Sequence, residues 1–218
     1  MNRRYEYLTD GDEIYRRSFA IIGDEAADGL RRLPDALHPV AIRMIHACGQ
    51  VDLIDDLRFS EGVVAAAHRA LSDGAPVLCD SRMVASGIIR ARLPRGNDVV
   101  CLLDDHRVAE LAAELGTTKT AAAVELWRPL VAGAVVAIGN APTALFGLLA
   151  MVADDPSLAP AAVLGIPVGF VGAAEAKQAL VDNDLGLEYL AVAGRRGGSA
   201  VTVAAVNALC GTVGNTGA

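Results

Sequence analysis

The chain has 218 residues, a formal net charge of −7, 53% hydrophobic residues and only 4% aromatic ones. That length suits one domain spanning residues 1–218 with a sizeable core. The acidic balance argues against a general nucleic-acid binder, which carries a basic field.

The N-terminal Met-Asn-Arg-Arg-Tyr-Glu-Tyr run lacks an apolar h-region, so no signal peptide is expected. Two helices are predicted to follow, from about Asp12 to Gly29 and from about Leu37 to Leu57, with Pro34 and Pro39 punctuating the link. At 100° per residue, the second helix gathers Arg43, His46 and Gln50 on one face and Met44, Ile45 and Cys48 on the other. A cation, an imidazole that exchanges protons near neutral pH and an amide together suit an anionic substrate that needs a proton. Taken alone, the same trio also describes a solvated helix face that carries a histidine.

From Phe59 onward the pattern becomes strand, turn, helix. Non-alternating apolar runs at Pro76–Cys79, Val99–Leu103, Ala134–Ile138, Ala162–Leu164 and Tyr189–Val192 predict parallel strands covered on both faces. Helical patterns include Arg107–Leu115, Thr120–Val131, Pro142–Val152 and Ala174–Val181. The result is a three-layer α/β/α sandwich with a five-stranded parallel sheet preceded by N-terminal helices. Pro129 to Ala153 carries no charge, but Gly139, Asn140, Pro142 and Thr143 interrupt it, so it predicts a buried strand and helix, not a membrane span. A last helix, about Ser199 to Leu209, is apolar nearly all round and is expected to be buried against the sheet, another subunit, or both.

Ligands of an open parallel sheet bind at the carboxyl ends of its strands. Those ends carry Cys79-Asp-Ser-Arg with Arg90 and Arg92, then Gly139-Asn-Ala-Pro, then Gly165 to Gly172, and finally Gly194-Arg-Arg-Gly-Gly-Ser199, with Ser199 as an N-cap. Glycine turns entering helices expose N–H groups that can hold a phosphate or carboxylate. No nucleotide fingerprint is present, so no nucleotide cofactor is expected. Asp80 and Ser81 could join His46 in a triad, but no nucleophile elbow exists. Asp104-Asp105 reads as a strand end or helix cap in preference to a metal site. Cys48, Cys79, Cys101 and Cys210 lack metal-ligand spacing and read as four buried, reduced thiols in a cytoplasmic protein. His38 reads as a loop residue, His68 and His106 as surface residues, and Trp127 as core.

Six blocks then occur in order: Arg17-Ser-Phe-Ala-Ile-Ile22, Arg43-Met-Ile-His-Ala-Cys-Gly49, Cys79-Asp-x-x-Met-Val-Ala85, Ile138-Gly-Asn-Ala-Pro-Thr-Ala-Leu-Phe146, Pro167-Val-Gly-Phe-Val-Gly-Ala-Ala-Glu175 and Gly197-Gly-Ser-Ala200. Together, from about Tyr5 to Leu209, they closely resemble the precorrin-8X methylmutase family of cobalamin biosynthesis. The resemblance implies a flavodoxin-like fold and a homodimer with its tetrapyrrole pocket near the subunit interface. It also implies an isomerase, needing no cofactor or metal, that moves a methyl group from C-11 to C-12 of precorrin-8X or its cobalt form. By motif position it makes His46 the proton donor and acceptor, and Ser18, Arg43, Lys119 and Asn140 substrate contacts. Two positions depart from the pattern. Thr118-Lys-Thr-Ala-Ala-Ala123 replaces Thr-Arg-Ser-Ala-Ala-Ala, which loses a planar guanidinium. Ile89 stands where a relative has Thr.

Overall fold

The computed structural model describes residues 5–211. Its single sheet contains β1 (Leu57–Phe59), β2 (Val77–Cys79), β3 (Val99–Val100), β4 (Val135–Ile138), β5 (Ala162–Gly165) and β6 (Tyr189–Val192), ordered β1-β6-β5-β4-β2-β3. All neighbours are parallel except β1 and β6. Without β1, the order β3-β2-β4-β5-β6 is the flavodoxin-like winding, which reverses direction between β2 and β4.

The strands read as continuous apolar runs because both faces are covered. Val77, Cys79, Val135, Ala137, Ala162 and Leu164 enter one core, while Leu78, Val136, Ile138 and Val163 enter the other. This is the period-two alternation of a pleated strand, hidden in the sequence because neither face meets water. The first core is closed by α3 (His38–Cys48), α4 (Val63–Ser72), α5 (Arg82–Gly87) and α10 (Ser199–Leu209). The second is closed by α8 (Pro142–Asp154) and α9 (Ala173–Val181), with Trp127 buried in it just after α7 (Lys119–Glu125), against which α6 (Val108–Glu114) packs. Leu145 and Leu148 of α8 are wholly buried, worth about 1.5–3 kcal/mol each. The uncharged Pro129–Ala153 stretch is therefore a core strand and helix. Among the described residues, no helix is long and apolar enough to cross a membrane.

Several elements differ from their sequence expectation. The first predicted helix divides into α1 (Gly11–Glu25) and α2 (Ala27–Leu30), with a break at Ala26. Asp10 opens α1, its carboxylate accepting the N–H groups of Asp12 and Glu13. The second predicted helix stops at Cys48. Gly49 adopts φ 69°, ψ 22°, and its N–H closes the last turn on Ile45 at 2.7 Å. A 3-10 stretch, Val51–Asp56, follows, and Leu57 opens β1. This sixth strand adds to the five expected: its three residues are too few to show a period, and its pairing with β6 is a long-range choice. Helix α7 ends at Glu125 because the chain tightens there, Trp127 donating to Val124 at 2.8 Å. The cap of α10 is Gly198 at φ 115°, not Ser199, which is the first helical residue.

Helix α10 packs against α3, α5, β4 and β5. Its buried Asn207 pins the segment after α5, accepting from Ile89 N at 2.9 Å and donating to Gly87 O at 3.1 Å. Cys79 and Cys210 are buried, whereas Cys48 and Cys101 are only half-buried; all four are free thiols. Burial pushes the Cys210 thiol up to about 11 and Cys79 further, which keeps both protonated and unreactive. His38 is the first residue of α3, not a loop residue, and His68 is half-buried, 2.8 Å from the Gly211 carbonyl. His106 is exposed beside Asp105.

Candidate functional site

The amphipathic pattern of α1 lays Tyr15, Ser18, Phe19 and Ile22 along one stripe, and this stripe meets α3. His46, in the last turn of α3, is exposed, and its ring rests on that stripe. Ser18 Oγ lies 3.3 Å from His46 Nδ1. Phe19 sits 5.2 Å from the imidazole between centroids, and Tyr15 meets it edge-on at 5.9 Å. Phe19 and Tyr15 are themselves stacked at 4.1 Å. The ring is thus held at one nitrogen and on its flank, while Nε2 makes no hydrogen bond among the described residues. A serine hydroxyl both donates and accepts, so Ser18 can serve either protonation state of Nδ1.

Arg43, one turn earlier, places its guanidinium carbon 5.7 Å from the centroids of both Tyr15 and Phe19. Burial pulls its pKa below the ordinary value; the Tyr15 hydroxyl opposes this and the Arg92 charge adds to it. Arginine stays charged throughout, so the effect is a weakly hydrated cation ready for an anionic group. Gln50 is not part of this face. Because α3 ends before it, Gln50 turns instead to a cleft of about 330 Å³ shared with Cys48, Phe170, Arg195, Gly197 and Val201. Arg195 lies over the Phe170 ring at 5.2 Å. The cleft floor is fastened by Arg196, which reaches Asp52 at 2.5 Å and Asp56 at 3.3 Å, and by buried Lys177, whose ammonium donates to the Arg196 carbonyl at 2.6 Å.

Lys119 and Asn140 belong to a second group, Lys119 on α7 over the other face of the sheet and Asn140 in the turn between β4 and α8. Thr118, Thr120 and Thr143 form a triangle of hydroxyls with edges of 3.1, 2.8 and 3.1 Å. The triangle clamps the start of α7, with exposed Lys119, to the start of α8, which Asn140 precedes. Asp80 does not approach His46 as a triad member. It accepts three backbone N–H groups of the Gly139–Ala141 turn, so the anion this turn was expected to hold is one of the chain's own carboxylates. Asp105 accepts the Arg107 N–H and pairs with its guanidinium, and Asp104 pairs with Arg82. No cluster of metal-ligating side chains exists among the described residues.

Comparison with known proteins decides the family. The precorrin-8X methylmutase family model matches residues 13–212. The chain belongs to the precorrin-8X methylmutase family. A precorrin-8X methylmutase of a Sinorhizobium species is 55% identical over 205 residues, covering 94% of this chain and 96% of that protein. A cobalt-precorrin-8 methylmutase of Priestia megaterium is 34% identical, covering 90% of this chain and 86% of that protein. The solved structure of a Thermus thermophilus precorrin-8X methyl mutase superposes with a TM-score of 0.78 at 38% identity, covering 90% of this chain and 95% of that one.

Within this methylmutase fold, the six sequence blocks fall on α1, α3 and the loops after β2, β4, β5 and β6. The spacing of Tyr15 and Phe19 about Ser18 marks one helical face, but nothing in the local pattern says that this face meets His46. The sequence reading of Asp80 as a possible triad member is corrected by its three backbone partners, and these, the Arg196 carbonyl that Lys177 reaches, and Thr143 of the threonine triangle are all distant in sequence and carry no local signal.

Proposed function

We propose that this protein moves a methyl group from C-11 to C-12 of precorrin-8X to give hydrogenobyrinate, an isomerisation in cobalamin biosynthesis. The observation that carries the reading is the 55% identity, over nearly the whole of both chains, to a protein named precorrin-8X methylmutase. Identity is 34% to the Priestia megaterium relative and 36% to one of Salmonella typhimurium, both named for the cobalt form, which favours the cobalt-free substrate. Product and substrate are isomers, so the step is redox-neutral. One carbon–carbon bond breaks at C-11, another forms at C-12, and the double bonds of the macrocycle shift.

That shift changes electron density at the pyrrole nitrogens, and a positioned acid lowers its barrier. His46 supplies the acid. Its Nε2, which makes no hydrogen bond among the described residues, meets a ring nitrogen of the substrate, while Ser18 holds Nδ1 and the Tyr15–Phe19 stack fixes the ring plane. Arg43 pairs with an acetate or propionate arm of the tetrapyrrole. Lys119 and Asn140 bind further arms; Lys119 does so as a point charge, without the fork of an arginine.

The active form is a cytoplasmic homodimer of a one-domain chain, with its pocket near the interface. Two observations support the second copy. The Ser18–Arg43–His46 group lies on helices of one face of the sheet and Lys119 on a helix of the other, and a partner would bring the two kinds together. Met83, Phe146, Val168, Phe170 and Val171, all in segments following β2, β4 and β5, expose apolar side chains that such a partner would cover.

The test mixes purified protein with precorrin-8X and follows the orange-to-pink change of the chromophore. His46→Ala is expected to lose about 10²- to 10⁴-fold in turnover while still binding the corrinoid. Conversion by that variant at near the wild-type rate would remove His46 from the chemistry. Sedimentation as a monomer at concentrations that sustain full activity would remove the dimer.

A further inference from the structure

Asp80 follows β2 and is 3% exposed. Its Oδ1 accepts the Gly139 N–H at 3.0 Å, and its Oδ2 accepts those of Asn140 at 2.8 Å and Ala141 at 2.7 Å. Three consecutive amides converging on one anion make a backbone nest of the kind that elsewhere holds phosphate or sulfate. Here the nest is filled from inside the protein, at the crevice between β2 and β4 where the winding of the sheet reverses. Burial pushes the Asp80 carboxyl up, and the three amides pull it back.

The filled nest fixes the conformation of a turn that α8 itself cannot fix. Ala141, at the N-cap of α8, has no side chain able to cap, and Pro142 has no N–H to contribute. Gly139 and Ala141 are buried on either side, whereas Asn140 is exposed, and its side-chain amide makes no hydrogen bond among the described residues. The turn therefore does one thing outward: it holds a single carboxamide at the edge of the sheet where ligands of this topology bind.

We propose that Asp80 is a positioning residue that acts through Asn140, locking the Gly139–Ala141 turn so that the Asn140 amide meets a carboxylate arm of the substrate already oriented. This rests on the methylmutase reading and on Asn140 as a substrate contact. The Asn140 NH₂ donates to the carboxylate, and such a contact rewards a turn that does not have to be ordered on binding. Asp80 touches no substrate atom. Its effect should appear in binding, and only while Asn140 is present to transmit it.

The test is a double-mutant cycle in precorrin-8X conversion. Asn140→Ala is expected to raise KM about tenfold with kcat within about twofold, the signature of lost ground-state binding. Asp80→Asn, which keeps the shape but loses the charge and one acceptor, is expected to raise KM about five- to tenfold. In the Asn140→Ala background the same Asp80→Asn change should alter KM by less than about twofold, because residues acting in one chain of contacts are not additive. Full additivity would overturn the proposal, since a general structural role for Asp80 weakens the enzyme whatever occupies position 140. An unchanged KM for Asn140→Ala would overturn it through its premise, leaving the methylmutase activity intact. Absence of conversion by the wild-type protein would instead refute the activity itself. Thermal unfolding of each variant separates misfolding from misplacement. If Asp80→Asn does not fold, Asp80→Glu, with its charge kept but carried one methylene further, takes its place in the cycle with the same two outcomes.

Discussion

Replacing Lys177 by Met should change how stability depends on pH. The chain has only two lysines, Lys119 and Lys177, and Lys177 is 2% exposed on α9 beneath the Gly194–Gly198 loop. Burial lowers its pKa from 10.5 to about 8, against the attraction of Asp56. That displacement corresponds to about 2–3 kcal/mol favouring the neutral amine, once solvent screening is discounted. In the unfolded chain the amine keeps its ordinary value, so between pH 8 and 10.5 the unfolded state binds more protons than the native state. Stability then rises with pH across that window. Below pH 8 both states are charged, and the full desolvation cost is borne by the native protein.

Lys177→Met removes the titrating group and fills similar volume, but leaves the Arg196 carbonyl without its donor, a loss of about 1–3 kcal/mol. At pH 7 the two effects oppose each other, so the variant should lie within about 2 kcal/mol of wild type. As pH is raised from 7 to 10, the wild type should gain about 2 kcal/mol relative to the variant. Urea unfolding of both proteins at matched pH values measures the difference, and titration of every other group cancels in it. A difference that stays constant from pH 7 to 10 would show that the Lys177 amine is not held down by burial, and the reasoning would fail.

Three other outcomes follow from the geometry. Ser18→Ala should lower kcat about three- to tenfold with little change in KM, because a 3.3 Å contact to Nδ1 is a modest hydrogen bond; steady-state conversion of precorrin-8X checks it, and an unaltered kcat would detach Ser18 from His46. Gly197→Ala places a Cβ 2.4 Å from the Ile166 carbonyl oxygen at a φ of 143°. Calorimetry should show it destabilised by about 1–3 kcal/mol, and an unchanged melting temperature would contradict the close approach of these two loops. Lys119→Arg restores a planar fork and should lower KM about two- to fivefold; a higher KM would place Lys119 where a compact charge is preferred.

The candidate site was legible where it depends on one helix. The spacing of Arg43 and His46 put them on a common face of α3, and the structure keeps them there, beside Ser18 and the Tyr15–Phe19 stack. Gln50 was grouped with them wrongly, because helical periodicity says nothing of where a helix stops. A glycine in the left-handed region at position 49 decided that.

The layered α/β class, the five parallel strands, the buried α8 and α10, and the family can all be read along the chain. Each of these is written in local composition, in short apolar runs, or in blocks of consecutive residues. Packing in three dimensions is what makes β1 join the sheet antiparallel to β6, brings Asp80 into the Gly139–Ala141 nest, and has Lys177 and Arg196 fasten the cleft floor. These contacts join residues separated by 19 to 144 positions. Such pairings are set by how layers stack, and the energy that selects them belongs to the whole fold, not to any stretch of chain.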